Sequence, residues 1–93
     1  YSNGHGFPWV YKTLGIGKLI GAPVAGTMTA VWWETLIDRN MIFGIPQVGC
    51  QGMDGQFGEN KQLNPVIVVY NTPEDYLNGN DRQLEAAVKE MMK

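Results

Sequence analysis

The sequence predicts an α/β domain. Two amphipathic helical patterns stand at its ends, and β-branched and aromatic runs at residues 29–37 and 65–70 lie between them with strand composition. The order is helix, strand, strand pair, strand, helix, which is α/β without being a complete parallel unit.

The first helix spans residues 3–14. Phe7, Val10, Tyr11 and Leu14 recur at i, i+3, i+4 and i+7, which aligns them on one face. Pro8 falls in the first turns, where a helix tolerates it. Gly15 then stops the helix as a C-terminal cap. A short buried strand at 18–21 leads into a Pro/Gly loop at 22–26. Residues 29–37 (TAVWWETLI) and 41–48 form a strand pair that turns at Asp38, Arg39 and Asn40. Pro46 lacks a ladder N–H and places its stretch at an edge or a bulge. Trp32 and Trp33 are adjacent, so they face opposite sides of their strand. One is assigned to the core and the other to an interface or a substrate wall. Residues 49–58 form a glycine-rich polar loop. PVIVVY, residues 65–70, is the strongest strand signal and reads as buried on both faces. A short helical piece at Pro73-Glu74-Asp75-Tyr76 precedes the last helix, residues 81–92. Asn80 or Asp81 caps that helix, and Leu84, Ala87, Val88 and Met91 form its apolar stripe.

Ninety-three residues with a net charge of −2 make one small domain or part of a larger one. A piece torn from a larger sheet would expose apolar surface. Tyr1 in place of Met suits such a piece. No Lys/Arg cluster is present, so the electrostatic footprint of a nucleic-acid binder is missing. One histidine and one cysteine do not make a zinc site, and Cys50 has no internal disulfide partner. The longest weakly apolar stretch, residues 19–33, is too short and too broken by Gly21, Pro23 and Gly26 to span a membrane. Gly15-Ile16-Gly17-Lys18 follows a helix and precedes a strand, the reverse of a phosphate-binding loop. The sequence calls for no metal or organic cofactor, and it leaves the compartment open.

Ser2 precedes the first helix in the turn Ser2-Asn3-Gly4. Such a serine caps exposed N–H groups. The same geometry also exposes a nucleophilic Oγ beside the positive helix end, whose free N–H groups suit a developing anion. Gly4 allows close approach of backbone and substrate. His5 is three residues on, a helical neighbour of Ser2, and reads either as a first-turn polar residue or as a local base. A local pair of this spacing is poorly placed for in-line proton transfer. Glu59 lies in a polar loop, 57 residues after Ser2. A loop glutamate is ordinarily solvated, but one can also orient a catalytic base.

Taken in order, Ser2-Asn3-Gly4, the run from Lys12 to Gly21, Gly26-Thr27, Pro46-Gln47-Val48-Gly49, Glu59-Asn60 and the run from Asp81 to Ala87 resemble the tail-specific (C-terminal processing) serine peptidases, and within them the tricorn-like branch. The resemblance covers nearly all of the chain. It implies a ClpP/crotonase-like α/β catalytic domain, of which residues 1–93 are the C-terminal part. Ser2 matches the nucleophile, and Glu59 matches the glutamate of a Ser-His-Ser-Glu tetrad. Asn3 and Gly4 match substrate-binding positions. At the position of Asn3 the tricorn-like branch has an aspartate that helps select basic residues on the leaving side.

The family's histidine, its partner serine and one oxyanion donor lie upstream of the matched region. The bacterial members place a lysine base 25 residues after the serine, where this chain has Thr27, so the resemblance favours the Ser-His branch. Gln62 and Val66 depart from the family's glycine and aspartate. The implied partners are a peptide or unfolded-protein substrate and the remainder of a peptidase chain, with homo-oligomerisation left open. The 93 residues alone are expected to be inactive. Two rival readings stand: an interaction domain with a vestigial site, and a crotonase-type enzyme acting on an acyl thioester.

Overall fold

The computed structural model describes residues 2–93. Helix α1 (Asn3–Thr13) leads to strand β1 (Ile20–Gly21), then to β2 (Thr29–Thr35) and β3 (Ile42–Gly49). Strand β4 (Ile67–Val68) and helices α2 (Pro73–Asn78) and α3 (Arg82–Met91) complete the chain. β1 and β4 run parallel with Ile20 opposite Ile67, and β2 and β3 run antiparallel. The mixture of helices and strands is that of the α/β class.

Gly15 ends α1 at φ 63°. Its N–H donates to the Lys12 carbonyl and that of Ile16 to the Tyr11 carbonyl, so two orphan carbonyls of the helix end are satisfied. The turn between β2 and β3 is closed by Asp38, whose carboxylate accepts the Asn40 N–H at 3.0 Å. Along the pair, Ala30 faces Val48 and Val31 faces Pro46, which leaves Gln47 as the extra residue of a bulge. Pro46 therefore sits where its missing N–H does least harm.

Neither tryptophan is core: Trp32 and Trp33 are 63% and 67% exposed. The physical reason is that, among the described residues, no helix packs extensively on the β2–β3 ribbon, whose contacts are chiefly of one strand with the other. Trp33 finds partial cover over Gly44, where an added Cβ would meet its ring at 3.1 Å.

The stretch 65–70 differs from its expectation too. Pairing is confined to Ile67 and Val68, and exposed Val66, Val68 and Tyr70 alternate with the more buried Pro65, Ile67 and Val69. One face rests on the chain, while the other is exposed among the described residues. The same holds for the helices. Phe7 and Val10 of α1, Leu14 at its C-terminal cap, and Leu84, Val88 and Met91 of α3 remain exposed.

What fixes α3 is polar. Asp81 caps it by accepting the Gln83 and Leu84 N–H groups. Gln83 Nε2 donates to the Val69 carbonyl at 3.0 Å. Glu90 pairs with Lys18, just before β1, and with Lys93. Helix α2 begins with a reciprocal capping box between Thr72 and Asp75, and Arg82 Nε donates to Asp75 at 2.9 Å.

The large side chains buried as core are Met28 and Leu63, at 7% and 8% exposure. The accessible surface is 7329 Å², against about 5,400 Å² for a compact monomer of this mass. The radius of gyration is 17.1 Å, against about 12 Å for a compact domain of this length. The chain is an open body whose apolar faces lack cover.

Hydrogen bonds from Lys18, then from Lys93, hold the Glu90 carboxyl at about 2, below its ordinary 4.5. A depressed carboxyl adds stability above the unfolded value, and that stability is lost as pH falls through the folded one. Glu90→Gln is expected to lower the thermal midpoint slightly at neutral pH, because the lysines are exposed and screened. The variant and the parent should converge near pH 2 in circular-dichroism melts.

Candidate functional site

The site grows from one backbone clasp. Val24 and Leu63 exchange both backbone hydrogen bonds, at 2.9 and 3.0 Å. Two residues further along, the Asn60 N–H donates to the Gly26 carbonyl at 2.6 Å. Gly26 is required there, since an added Cβ would lie 2.5 Å from the Lys61 backbone. Asn60 takes φ 60°, the left-handed conformation that asparagine tolerates better than most residues. This bend delivers Glu59 to the start of β2. Its Oε2 accepts the N–H of Met28 at 2.7 Å and that of Thr29 at 2.9 Å. The buried Met28 side chain packs against Gly58.

Ser2 meets the same segment from the other direction. Its N–H donates to the Thr27 carbonyl at 2.7 Å, and its own carbonyl accepts the N–H groups of His5 and Gly6. Ser2 is the N-terminal residue flanking α1, with φ 55° and ψ −127°. A non-glycine residue there carries strain of about 1–3 kcal/mol. Its side chain makes no capping hydrogen bond. The ordinary reason for a serine at this place is therefore absent. The N–H groups of Asn3 and Gly4 occupy the first helical positions, which have no partner within the helix.

A cavity of about 100 Å³ opens beside Ser2. Ser2, Asn3 and Gly6 line one side of it. Met28, Thr29 and Ala30 face them, and Cys50, just past β3, completes the lining. Cys50 is an exposed free thiol.

Of the residues singled out in the sequence, Ser2, Asn3 and Gly4 stand together at the head of α1. Glu59 is anchored on Met28 and Thr29, which line the cavity shared with Ser2. Sequence reasoning did not reach Met28, Thr29 or Cys50. The first two act through backbone N–H groups, which carry no residue signature.

His5 is not an exposed first-turn residue. It is 1% exposed, and neither ring nitrogen has a hydrogen-bond partner. Burial lowers its pKa below the ordinary 6.5, against the opposing pull of the Glu59 charge. Among the described residues, no three histidine, cysteine, aspartate or glutamate side chains gather to hold a metal. No helix of the described residues is long and apolar enough to cross a membrane.

With this geometry in place, the chain compares as follows. It is 31% identical over 88 residues to the tricorn protease of Thermoplasma acidophilum, a match covering 94% of this chain and 8% of that protein. It is 33% identical over 94 residues to a tricorn protease homolog of Saccharolobus solfataricus, covering 99% of this chain and 9% of that one. A putative tricorn-like protease C-terminal subunit of Sulfurisphaera tokodaii is 31% identical over 93 residues, 99% of this chain and 11% of its own length. The chain is thus similar, along nearly all of its length, to a segment about a tenth as long as these proteases. No protein-family model matches it, and no solved structure matches it.

Two outcomes are expected at this site. Gly26→Ala should push the Lys61 backbone away and cost about 1–3 kcal/mol, the usual penalty of overpacking, in chemical denaturation. His5→Leu removes two buried, unpartnered nitrogens and should not lower the thermal midpoint. The parent's buried neutral imidazole must take up a proton on unfolding, so its stability is full above pH 6.5 and falls below it. That decline should flatten in His5→Leu, as read from melts across the acidic range.

Proposed function

We propose that these residues are the C-terminal part of the catalytic domain of a serine peptidase. The parent would be tricorn-like, of the tail-specific type, with a ClpP/crotonase-like α/β fold. The observation that carries this reading is the state of Ser2. It occupies a strained backbone conformation at a helix N-terminus, makes no cap with its side chain and borders a cavity. Strain of this kind persists when the surroundings hold it, and it gathers at functional sites. The similarity to a segment of tricorn proteases supports the reading independently.

In this reading Ser2 Oγ attacks a peptide carbonyl carbon while a histidine from outside the described residues takes the hydroxyl proton. The carbonyl oxygen becomes an oxyanion and accepts the free N–H of Asn3, with Gly4 letting the substrate backbone approach. Collapse of the tetrahedral adduct expels the amine, which leaves with the proton held by the histidine. Water then hydrolyses the acyl-serine by the same route reversed. Glu59, fixed by two backbone N–H groups, supports the histidine's positive charge through the tetrad. His5 takes no part as base, since its ring is buried and makes no hydrogen bond to Ser2.

The open apolar surface fits the same account. The excess over a compact monomer is about 2,000 Å², on the scale of a permanent interface. The remainder of the peptidase chain would cover it, and peptides or unfolded proteins would be the substrates.

The test uses the full-length protein that carries this chain. Ser2→Ala should lower peptide hydrolysis by at least about a thousandfold, as loss of a serine nucleophile does elsewhere. Glu59→Gln should lower kcat by about tenfold or more, with only a modest fall in the thermal midpoint because an amide oxygen can still accept the Met28 and Thr29 N–H groups, though without the charge. Retained activity in Ser2→Ala removes the serine mechanism, and a fully active Glu59→Gln enzyme removes Glu59 from it.

A further inference from the structure

We propose that His5 is a positioning residue that acts on the reaction through Glu59. As a neutral imidazole it leaves the Glu59 carboxylate to the catalytic histidine, and as an imidazolium it draws that carboxylate to itself. This rests on the reading of Ser2 as the nucleophile and Glu59 as a support, and it adds a proton-dependent control of that site.

Placement comes first. The His5 N–H donates to the Ser2 carbonyl at 2.9 Å, in the turn that carries the nucleophile. The Ser2 N–H donates in turn to Thr27, next to the Met28 and Thr29 N–H groups that hold Glu59. The first turn of α1 is thus fastened to the segment that anchors Glu59. The His5 ring is enclosed at 1% exposure, although its chain neighbours are Gly4 and Gly6, which have no side chains to shield it. Its cover comes from tertiary packing.

Unused hydrogen-bonding capacity comes second. Both ring nitrogens of His5 are buried without a partner, a state that is rare in folded proteins and calls for a cause. A neutral imidazole offers one donor and one acceptor, and an imidazolium offers two donors. Glu59 has the complementary capacity. Its Oε2 accepts the N–H groups of Met28 and Thr29, and among the described residues its Oε1 accepts no hydrogen bond. A ring with unused donors and a carboxylate with an unused oxygen are therefore held on the same segment.

Charge comes third. Tyr11 and Lys12 stand on α1, Glu59 and Lys61 on the clasp, and Cys50 and Asp54 in the loop that meets α1 where Gly52 touches Trp9. Burial holds the ring below its ordinary 6.5, the amine at the start of the chain adds to this, and Glu59, alone of these groups, pulls the other way. His5 is thus neutral near pH 7 and takes a proton below 6.5. The proton comes from solvent onto a ring nitrogen, and no bond between heavy atoms changes. The new positive charge pairs with Glu59. The carboxylate then no longer offsets the charge that the catalytic histidine acquires with the Ser2 proton, so turnover slows while substrate binding is spared.

The experiment measures kcat and KM of the full-length protein and of its His5→Leu variant between about pH 8 and pH 5, on a peptide without titratable groups. The quantity read is the variant-to-parent ratio of kcat, which cancels the ionisation of the catalytic histidine that both share. That ratio should rise by about tenfold as pH falls below 6.5, the factor expected of Glu59→Gln, while the ratio of KM stays level. In the Glu59→Gln background, adding His5→Leu should leave the kcat ratio flat across the same range. His5→Gln, uncharged but able to hydrogen-bond, should behave as His5→Leu does, and it carries the test if the leucine variant does not fold. Thermal melts at each pH establish folding. Mass-spectrometric labelling of Ser2 by a peptidyl phosphonate should succeed in the parent and in both His5 variants.

A flat ratio in a folded His5 variant whose Ser2 is labelled overturns the role of His5 and leaves the nucleophile standing. A rise that persists in the Glu59→Gln background overturns the route through Glu59. Failure of the phosphonate to modify Ser2 in the parent overturns the nucleophile, and the role of His5 falls with it.

Discussion

The backbone clasp between residues 24–29 and 58–63 is the constraint on which the Ser2 end of the molecule depends. It begins with the Val24–Leu63 exchange and closes where Glu59 accepts the N–H groups of Met28 and Thr29. Ser2 hangs from its middle, by the bond to the Thr27 carbonyl. Four features follow from this one arrangement. They are the close approach at Gly26, the left-handed turn at Asn60, the burial of Met28 and the placement of two distant residues around one segment. A carboxylate that accepts two backbone N–H groups is held by geometry rather than by burial alone, and its second oxygen makes no bond to those donors. Such a carboxylate suits a supporting role towards a base brought from elsewhere.

The clasp is also nearly all the core among the described residues. Beyond Met28 and Leu63, apolar side chains lie along faces that have no cover, and α3 is fixed by Gln83, Asp81 and Glu90 rather than by its aliphatic stripe. In a self-sufficient domain the stripe of an amphipathic helix would supply most of its stability. Here that stripe stays exposed, and the chain is similar to a short segment of much longer proteases. The two-stranded ribbon carries the same message. Its cross-strand pairs and the Trp33–Gly44 contact stabilise it internally, while both of its faces stay open.

Local structure was legible in the sequence wherever short-range chemistry determines it. The end of α1 at Gly15, the turn at Asp38, the bulge at Pro46 and the cap at Asp81 each follow from a residue acting on its own backbone. Burial was not legible. The run at 65–70 and the pair Trp32-Trp33 read as core because periodicity reports which residues need cover, not whether this chain supplies it. At the site, the turn at Ser2 was readable from Ser2-Asn3-Gly4. The missing cap, the strained φ and the two N–H groups under Glu59 were not, because they go with contacts between segments distant in sequence, Ser2 with Thr27 and Glu59 with Met28 and Thr29. His5 shows the same limit. Its position in the first turn suggested solvent, yet tertiary packing encloses it.

The central claim is that Ser2 and Glu59 serve one reacting centre assembled on the clasp. A crystal structure of the full-length protein after reaction with a peptidyl phosphonate tests it most directly. The account predicts phosphorus bonded to Ser2 Oγ, a phosphonyl oxygen accepting the Asn3 N–H, and Glu59 still held by Met28 and Thr29 while linked to Ser2 through one histidine. Phosphorus on another residue, or Glu59 facing away from Ser2 with no histidine between them, would contradict it.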